Sequence, residues 1–391
     1  MRVAINLEQL LYRVPGGIGR YTARLATLLP ALFPEDGYAG FVARHHRRRV
    51  ADAVRGLEPA MAPVILPLPR PLLYEAWHLV GRPELGRLAP ALRHAELVHA
   101  PSLAVPPRGQ ARLVVTVHDV AHVLHPDATT SRGRRFHSGG LAATARRADL
   151  VIVVSHAAAA DVAAHTDIAM DRIRVVHNGV DHVEVPLEAV GQARARYGLA
   201  DRPYVLWVGT QEPRKNLRLL VEAFAVAVAR RRLPHALALA GPPGWLHEEA
   251  RSMPGAEALG DRLRILGHVS EDELHALYRG AELFALPSLY EGFGLPAVEA
   301  MAQGTAVVCS DTSALPEVTG GAAVLVPPEP GAWGRALADL LEDDARRRDL
   351  AFAGRRRAAH LTWERCARAT HAVYQEALDM PGAREARPAP S

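Results

Sequence analysis

Residues 286–304 read LPSLYEGFGLPAVEAMAQG and predict, in this order, the end of a strand, a glycine-rich loop and a helix. The helix opens with a proline, which the first helical turn tolerates. Glycines at the start of a helix leave backbone N–H groups open to an anion such as a diphosphate. The residues of this expected anion site are Gly292, Phe293, Gly294 and Leu295.

Two carboxylates flank the expected anion site. Glu291 precedes the helix and Glu299 lies on it, eight residues later. Carboxylates at these positions suit hydrogen bonds to the hydroxyl groups of a sugar and a ribose. The alternative is an ordinary strand, turn and helix with exposed glutamates. We favour the binding site because the glycines, the proline and both acids agree with it.

Short β-branched runs alternate with helical patterns along the chain and predict parallel strands joined by helices. The first half has such runs at residues 2–6, 39–43, 113–118, 150–154 and 173–177, and the second half at 204–209, 236–240, 263–266, 283–287 and 306–310. We therefore expect an α/β protein with two doubly wound, Rossmann-like domains. Ligands of open α/β sheets bind at the carboxyl ends of the strands, so two facing edges would form a deep cleft.

The segment GTQEPRKN begins with Gly209 and Thr210 at a predicted strand end and leads into a helix that Asn216 is expected to cap. It contains Arg214 and Lys215, and Lys215 is the only lysine among 46 basic residues. A lysine kept in a chain that otherwise uses arginine indicates a site that needs a compact point charge. The pair is therefore predicted to reach a diphosphate held by the glycine loop, with solvated surface charge as the alternative.

Two motifs of the first half also follow predicted strands. PGGIGRY, which includes Gly17, would let a phosphate approach closely from the opposite domain, with a plain turn as the alternative. It is not the G-x-G-x-x-G of dinucleotide-binding proteins. TVHD ends in His118 and Asp119, two hydrogen-bonding groups that could position a transferred sugar. A purely structural histidine is the alternative at this motif.

Composition excludes several classes of protein. The chain of 391 residues exceeds one average domain, and its two cysteines offer no disulfide framework. Its net charge of +4 arises in residues 1–186, where 22 arginines outnumber 16 acidic residues without the interleaved aromatics of nucleic-acid-binding proteins. We therefore expect a cytoplasmic protein that binds no nucleic acid. The sequence contains no Asp-x-Asp and no His/Cys spacing typical of a metal site, so no metal is expected.

Taken together, these segments resemble family 4 of the retaining GT-B glycosyltransferases over almost the whole chain. The matching segments are GGIGRY, VHD, HNGVD at residues 177–181, GTQEPRKN, LGHVSEDEL at residues 266–274 and EGFGLPAVEAMAQG. The resemblance implies the GT-B architecture, with an acceptor-side domain over residues 1–186 and a donor domain over residues 187–362. It also implies that residues 363–380 form a helix crossing back to the first domain. The composition of residues 381–391 predicts a disordered tail.

The resemblance also implies a role for each residue of the site. Arg214 and Lys215 would bind the donor diphosphate, Glu291 would contact the donor sugar, and Glu299 would hold the ribose. Residues 267–269 would meet the base. The expected catalytic residues are His118, Asp119 and Glu291, and the expected donor-binding residues are Gly17, Gly209, Thr210, Arg214, Lys215, Gly267, His268, Val269, Glu291, Gly292, Phe293, Gly294, Leu295 and Glu299.

The expected function is retaining, metal-independent transfer of a sugar from a nucleotide diphosphate to a glycan or lipid-linked acceptor of the cell envelope. The likeness of GGIGRY and EPRKN to bacterial mannosyltransferases indicates mannose. The donor, GDP-mannose or a UDP-sugar, would be a co-substrate, and no cofactor is expected. The alternatives are a UDP-glucose- or UDP-N-acetylglucosamine-dependent transferase, a nucleotide-sugar epimerase of the same fold, and a non-enzymatic binding module.

Basic and apolar residues that lie close in the first half suggest peripheral association with the inner face of a membrane. Arginines beside exposed apolar side chains suit docking on an anionic lipid surface. The alternative is that the apolar side chains belong to the core and the arginines only solvate the surface. The residues concerned are Arg47, Arg48, Arg49, Arg132, Arg134 and Arg135, with Leu72, Leu73, Trp77 and Leu79.

Overall fold

The computed structural model describes residues 1–12, 16–57, 61, 63–244 and 249–381. Pro15 of the PGGIGRY motif and residues 382–391 of the expected disordered tail lie outside the described residues. Within them the chain forms two parallel sheets, one of seven strands and one of six, each flanked by helices.

The N-terminal sheet has the strand order β3-β2-β1-β4-β5-β6-β7, with every pair parallel. Its strands are β1 (Arg2–Asn6), β2 (Gly37–Val42), β3 (Pro63–Ile65), β4 (Leu97–Ala100), β5 (Arg112–Val117), β6 (Leu150–Val153) and β7 (Ile173–Val175). The helices between them are α1 (Gly16–Leu32), α2 (Arg47–Ala53), α3 (Arg70–Leu79), α4 (Leu85–Leu88), α5 (Ala121–Leu124), α6 (Ser131–Arg147) and α7 (His156–His165).

The C-terminal sheet has the order β10-β9-β8-β11-β12-β13, again parallel throughout. Its strands are β8 (Tyr204–Val208), β9 (Ala236–Ala240), β10 (Leu263–Gly267), β11 (Leu283–Leu286), β12 (Ala306–Ser310) and β13 (Val324–Val326). The remaining helices are α8 (Leu187–Arg196), α9 (Leu217–Arg231), α10 (Ala256–Leu259), α11 (Glu271–Gly280), α12 (Leu295–Ala302), α13 (Leu315–Thr319), α14 (Pro330–Glu342), α15 (Asp344–Ala358) and α16 (Trp363–Asp379).

Two doubly wound α/β units therefore confirm the predicted fold class. All ten predicted strands are present, with bounds that differ by at most two residues at either end. Three further short strands, β3, β4 and β13, were not predicted. The predicted domain boundary at residue 186 stays a prediction. Helix α8, which follows that residue, packs on α11 of the second unit.

Helix α9 forms where it was predicted, but without the predicted cap. Its apolar side chains, from Leu217 through Phe224 to Val228, are buried against the second sheet. Asn216 stands at the N-cap position, but its side chain accepts no hydrogen bond from the helix. Its backbone is left-handed, with φ of 50° and ψ of 40°, a conformation that asparagine tolerates better than most residues. Asn216 thus allows the turn before α9 and does not cap the helix with its side chain.

The chain passes between the two units twice at one place. Val180, on the outward passage, forms a parallel bridge with Thr362 on the return passage. Beyond Thr362, α16 packs on α1, β5 and β6 of the first unit and buries Trp363 and Tyr374. A side chain at Gly179 would overlap the backbone nitrogen of Trp363, so the HNGVD motif needs glycine for this close approach.

None of the helices among the described residues combines the length and the apolar composition that a membrane span requires.

Replacing Gly179 by alanine should destabilise the fold. The new methyl group would push the start of α16 off the first unit, and overpacking of this kind costs about 1–3 kcal/mol. Gly191→Ala is the matched control, because Gly191 lies on α8 and a side chain there meets nothing within 4 Å. That change should leave the protein as stable or slightly more stable. Melting temperatures measured by calorimetry would contradict the interpretation if both variants behaved alike.

Candidate functional site

The carboxyl edges of the two sheets meet, and the loop after β11 contacts the loop after β5. A side chain at Gly292 would overlap the carbonyl oxygen of His118 and lie 3.0 Å from the Cβ atom of Asp119. The Ser155 hydroxyl donates to the carbonyl oxygen of Gly292 at 2.7 Å. Glycine at position 292 therefore brings the TVHD motif of one unit, with its predicted catalytic residues, against the predicted anion loop of the other.

Glu291 is the centre of a buried charge cluster. Its Oε1 atom accepts hydrogen bonds from the Lys215 ammonium at 2.5 Å and from the Ser288 hydroxyl at 2.7 Å. The Arg214 guanidinium lies 3.4 Å from Oε2. Glu291 is 6% exposed and Lys215 is 7% exposed. Burial alone would raise the pKa of Glu291, but Lys215 and Arg214 outweigh it and hold the pKa below its ordinary value.

Local backbone structure places the two cations. Residues Pro213–Lys215 form a 3₁₀ turn after β8, and the left-handed Asn216 then redirects the chain into α9. The N–H group of Leu289 donates to the carbonyl oxygen of Arg214 at 2.8 Å, which ties this turn to the Glu291 loop. Gly209 and Thr210 precede the turn at the end of β8 and are half-buried.

Arg214 is shared between two carboxylates. Its Nε atom donates to Glu212 at 3.1 Å and its Nη1 atom to the carbonyl oxygen of Tyr290 at 3.2 Å. Burial alone would lower the pKa of Arg214, whereas Glu291, Glu212 and Asp119 together raise it. The negative charge of Asp119 in the first unit thus contributes to the field at Arg214 of the second.

Glu299 is held by both units. Its Oε2 atom accepts a hydrogen bond from the Tyr278 hydroxyl at 2.8 Å, within the second unit. Its Oε1 atom pairs with the guanidinium of Arg20, which projects from α1 of the first unit. Arg20 was not predicted as a site residue, although it lies in the GGIGRY motif. A contact between residues so far apart in sequence leaves no local pattern.

His118 has a defined tautomer. Its Nε2 atom lies 2.9 Å from the carbonyl oxygen of Pro101, which can only accept, so Nε2 carries the proton and Nδ1 does not. Burial lowers the pKa of His118, so the ring is neutral at pH 7. An unprotonated Nδ1 can accept a hydrogen bond from a hydroxyl group.

Asp119 has a partly structural role. Its carboxylate accepts a hydrogen bond from the backbone N–H of Ala121 at 3.0 Å, at the start of α5. The same carboxylate raises the pKa of Tyr290, after burial as the larger cause. The Tyr290 hydroxyl in turn donates to Asp161 at 2.9 Å, across the interface between the two units.

The other predicted donor-binding residues lie around this centre. A side chain at Gly17 would lie 3.1 Å from Leu295, so the N-termini of α1 and α12 approach each other. Gly294 has a φ of 91°, which only glycine adopts easily, whereas the Phe293 ring is buried in the core. At the end of β10, Gly267 and Val269 are half-buried and His268 is exposed.

The HNGVD motif serves the contact between the units. The Nε2 atom of His177 donates to the carboxylate of Glu317 on α13 at 2.7 Å, and the backbone N–H groups of His156 and Ala157 donate to the same carboxylate. Glu317 therefore caps the N-terminus of α7 from the opposite unit. Among the described residues, one group of potential metal ligands lies close together, namely His156, His177 and Glu317. The hydrogen bonds from His156 and His177 to Glu317 explain why these three residues lie close together.

Two sequence families match this chain, one for each unit. Residues 15–184 match "Glycosyltransferase Family 4", and residues 191–357 match "Glycosyl transferases group 1". An O-antigen chain mannosyltransferase B of Escherichia coli is 32% identical over 311 residues, which cover 78% of this chain and 81% of that protein. A serotype-specific mannosyltransferase of the same species is 31% identical over 261 residues, 64% of this chain, and the chain spans about a third of that relative.

Solved structures agree with the fold. Sucrose-phosphate synthase from Thermosynechococcus elongatus superposes with a TM-score of 0.74 at 24% sequence identity, covering 96% of this chain and 98% of that one. The facing carboxyl edges, the matched families and the relatives lead to one conclusion: this chain is a glycosyltransferase and belongs to family 4 of the GT-B glycosyltransferases.

Proposed function

We propose that this glycosyltransferase transfers mannose, with retention and without a metal ion, from GDP-mannose to a glycan or lipid-linked acceptor of the cell envelope. The observation that carries the proposal is the cluster of Lys215, Arg214 and Glu291 beside the N-terminus of α12. Mannose and the cell envelope are supported by the O-antigen chain mannosyltransferase that this chain resembles.

Both cations keep donors for a diphosphate. An ammonium has three N–H donors, and Lys215 uses one of them on Glu291. The Nη2 atom of Arg214 takes no part in its bonds to Glu212, Glu291 and Tyr290. The N-terminus of α12, and that of α1 near Gly17, would add backbone N–H groups. These groups can neutralise a departing diphosphate in the way that other enzymes use a metal ion.

Retention follows if the leaving phosphate acts as the base. The bond from the sugar carbon to the phosphate oxygen breaks, the acceptor oxygen attacks the same face, and its proton passes to the phosphate. In this proposal Glu291 does not attack as a nucleophile, because Lys215 and Ser288 hold its Oε1 atom and Arg214 lies 3.4 Å from its Oε2 atom. Glu291 and the Nδ1 atom of His118 would instead hold hydroxyl groups of the donor sugar.

The donor and the metal requirement can be tested together. GDP-mannose should raise the melting temperature of the protein more than UDP-glucose or UDP-N-acetylglucosamine does, because a preferred ligand stabilises by mass action. Transfer to an acceptor should continue at nearly the same rate in excess EDTA. A larger shift with a UDP-sugar would change the assigned donor. Loss of transfer that Mg²⁺ or Mn²⁺ restores would contradict the proposed neutralisation by side chains.

Substitution at Lys215 tests the diphosphate site. Lys215→Ala should lower kcat/KM by a factor of at least ten, because it removes a charge-assisted contact of about 1.5–3 kcal/mol. Lys215→Arg keeps the charge, but it replaces the compact ammonium of a 7%-exposed lysine by a larger planar guanidinium, so activity should fall as well. Arg346→Lys on the exposed surface of α15 is the control. Full activity of Lys215→Arg would show that only charge matters.

The structure separates the residues of the expected membrane surface into buried and exposed ones. Leu73 and Trp77 are fully buried in the core of the first unit, as the alternative to membrane docking predicted. Leu72 and Leu79 on α3 are 59% and 74% exposed. On α2, Arg47, Arg48 and Arg49 are exposed as well. We propose that these two helices, which follow the neighbouring strands β2 and β3, dock on an anionic membrane surface, since exposed leucines and exposed arginines together suit that surface.

Co-sedimentation with vesicles containing anionic lipid tests this surface. The protein should bind at low salt and less at physiological salt, because screening weakens the attraction. A variant with Leu72→Ser and Leu79→Ser should bind less. Phe352→Ser is the matched control, because Phe352 is 66% exposed on α15 of the second unit. Equal binding of both variants, or no binding at either salt, would favour a soluble acceptor.

A further inference from the structure

Arg20 lies where two carboxylates of the second unit converge. One nitrogen of its guanidinium pairs with Glu299, and another lies 3.5 Å from Glu271. Glu271 opens α11, two residues after the stretch 267–269 that is expected to meet the donor base. Arg20 therefore reaches from α1 into the place where the nucleoside of a donor is expected to bind.

Both oxygens of Glu299 are in use. Tyr278 donates to Oε2 at 2.8 Å, and Arg20 pairs with Oε1. Glu299 is 5% exposed. A ribose held by Glu299 needs an oxygen that accepts from its hydroxyl groups. Arg20 approaches Oε1 from the first unit and so covers this buried carboxylate on the side of the cleft, and a ribose that enters the cleft would have to displace it.

Of the two partners of Glu299, Arg20 is the one that can be displaced. The bond from Tyr278 lies within the second unit, between α11 and α12, and is buried. The pair between Arg20 and Glu299 crosses between units, and its loss leaves Arg20 in contact with Glu271. Glu271 is exposed and already partly neutralises the guanidinium. The guanidinium would thus keep a carboxylate partner after leaving Glu299.

We propose that Arg20 and the ribose of the donor compete for Glu299, so that Arg20 sets the affinity of the enzyme for nucleotides. This inference rests on the proposed function, in which Glu299 holds the ribose. Arg20 is then a positioning residue. It holds the Glu299 carboxylate in position until the ribose hydroxyls replace it, and Glu271 takes up the released guanidinium.

Binding of GDP and UDP, and of their 2′,3′-dideoxy forms, tests the competition by calorimetry. Arg20→Gln should bind the ribose forms about tenfold more tightly than the wild type. This factor corresponds to the free energy of the one charge-assisted hydrogen bond that the ribose no longer has to displace. The dideoxy forms should bind both proteins alike, because they lack the hydroxyl groups that Glu299 would accept from. Arg20→Lys should show a smaller gain, since a lysine can pair with only one of the two carboxylates.

Arg24→Gln is the matched control. Arg24 lies one turn further along α1 and pairs with Asp181 at 2.9 Å, on the passage of the chain between the units, so it also ties α1 to the interface region. Its loss should leave nucleotide affinity unchanged. An equal gain in Arg24→Gln would mean that any loosened interface suffices, and this would overturn the proposal. So would weaker or unchanged binding in Arg20→Gln, or a gain that persists with the dideoxy forms.

The proposed function fails in a different way. If the wild type and all variants bind neither GDP nor UDP, the assignment of the nucleotide site is wrong. If the wild type binds a nucleotide and only the effect of Arg20 is missing, the nucleotide site stands and the competition does not.

Discussion

The buried carboxylate of Glu291 is the constraint on which the site depends. An ionised carboxyl group that is 6% exposed must be paired, because an uncompensated buried charge costs several kcal/mol. Lys215, Arg214 and Ser288 supply that compensation, and each stands at the carboxyl end of a neighbouring strand. The two loops of the second unit are therefore fixed to each other by charge. The position of the N-terminus of α12 follows from that attachment.

The same edges that form the site also form the contact between the units. Tyr290 reaches Asp161, Ser155 holds the carbonyl oxygen of Gly292, and Glu317 caps α7. These contacts are polar, and apolar contacts accompany them. Val154 of the first unit belongs to a core cluster of the second, and Leu295 of the second unit packs against a core cluster of the first. The two units are therefore joined both by hydrogen bonds and by apolar packing at the carboxyl edges of their sheets.

Much of the fold could be predicted from the sequence because its signals are local. Buried parallel strands are short β-branched runs, and the glycine loop with Pro296 marks the start of α12. Strand β4 was missed because His99 interrupts a run of four residues. In the structure that ring is buried between the hydroxyls of Thr116 and Tyr374, and burial lowers its pKa to about 3. Such a histidine cannot be distinguished from a loop residue without its distant partners.

The predicted site residues illustrate the same limit. Lys215 and Glu291 could be predicted as site residues because each follows the end of a strand and is an unusual residue type at that position. Their direct contact could not be predicted, nor could the pairing of Arg20 with Glu299, because both depend on how two loops or two units meet. Trp77 was a candidate for the surface and lies in the core. Its indole N–H donates to the carbonyl oxygen of Pro83 at 2.9 Å, a partner that the sequence does not reveal.

The two passages of the chain at Val180 and Thr362 have a topological consequence. Because α16 packs on the first unit, that unit is assembled from both ends of the chain, and the second unit is inserted within it. Exchange of the second unit between related enzymes therefore requires two junctions, one on each passage. A chimera joined only at the first passage would combine a new α16 with the old α1, β5 and β6. Recombination in this family should then preserve pairs of crossover points rather than single ones.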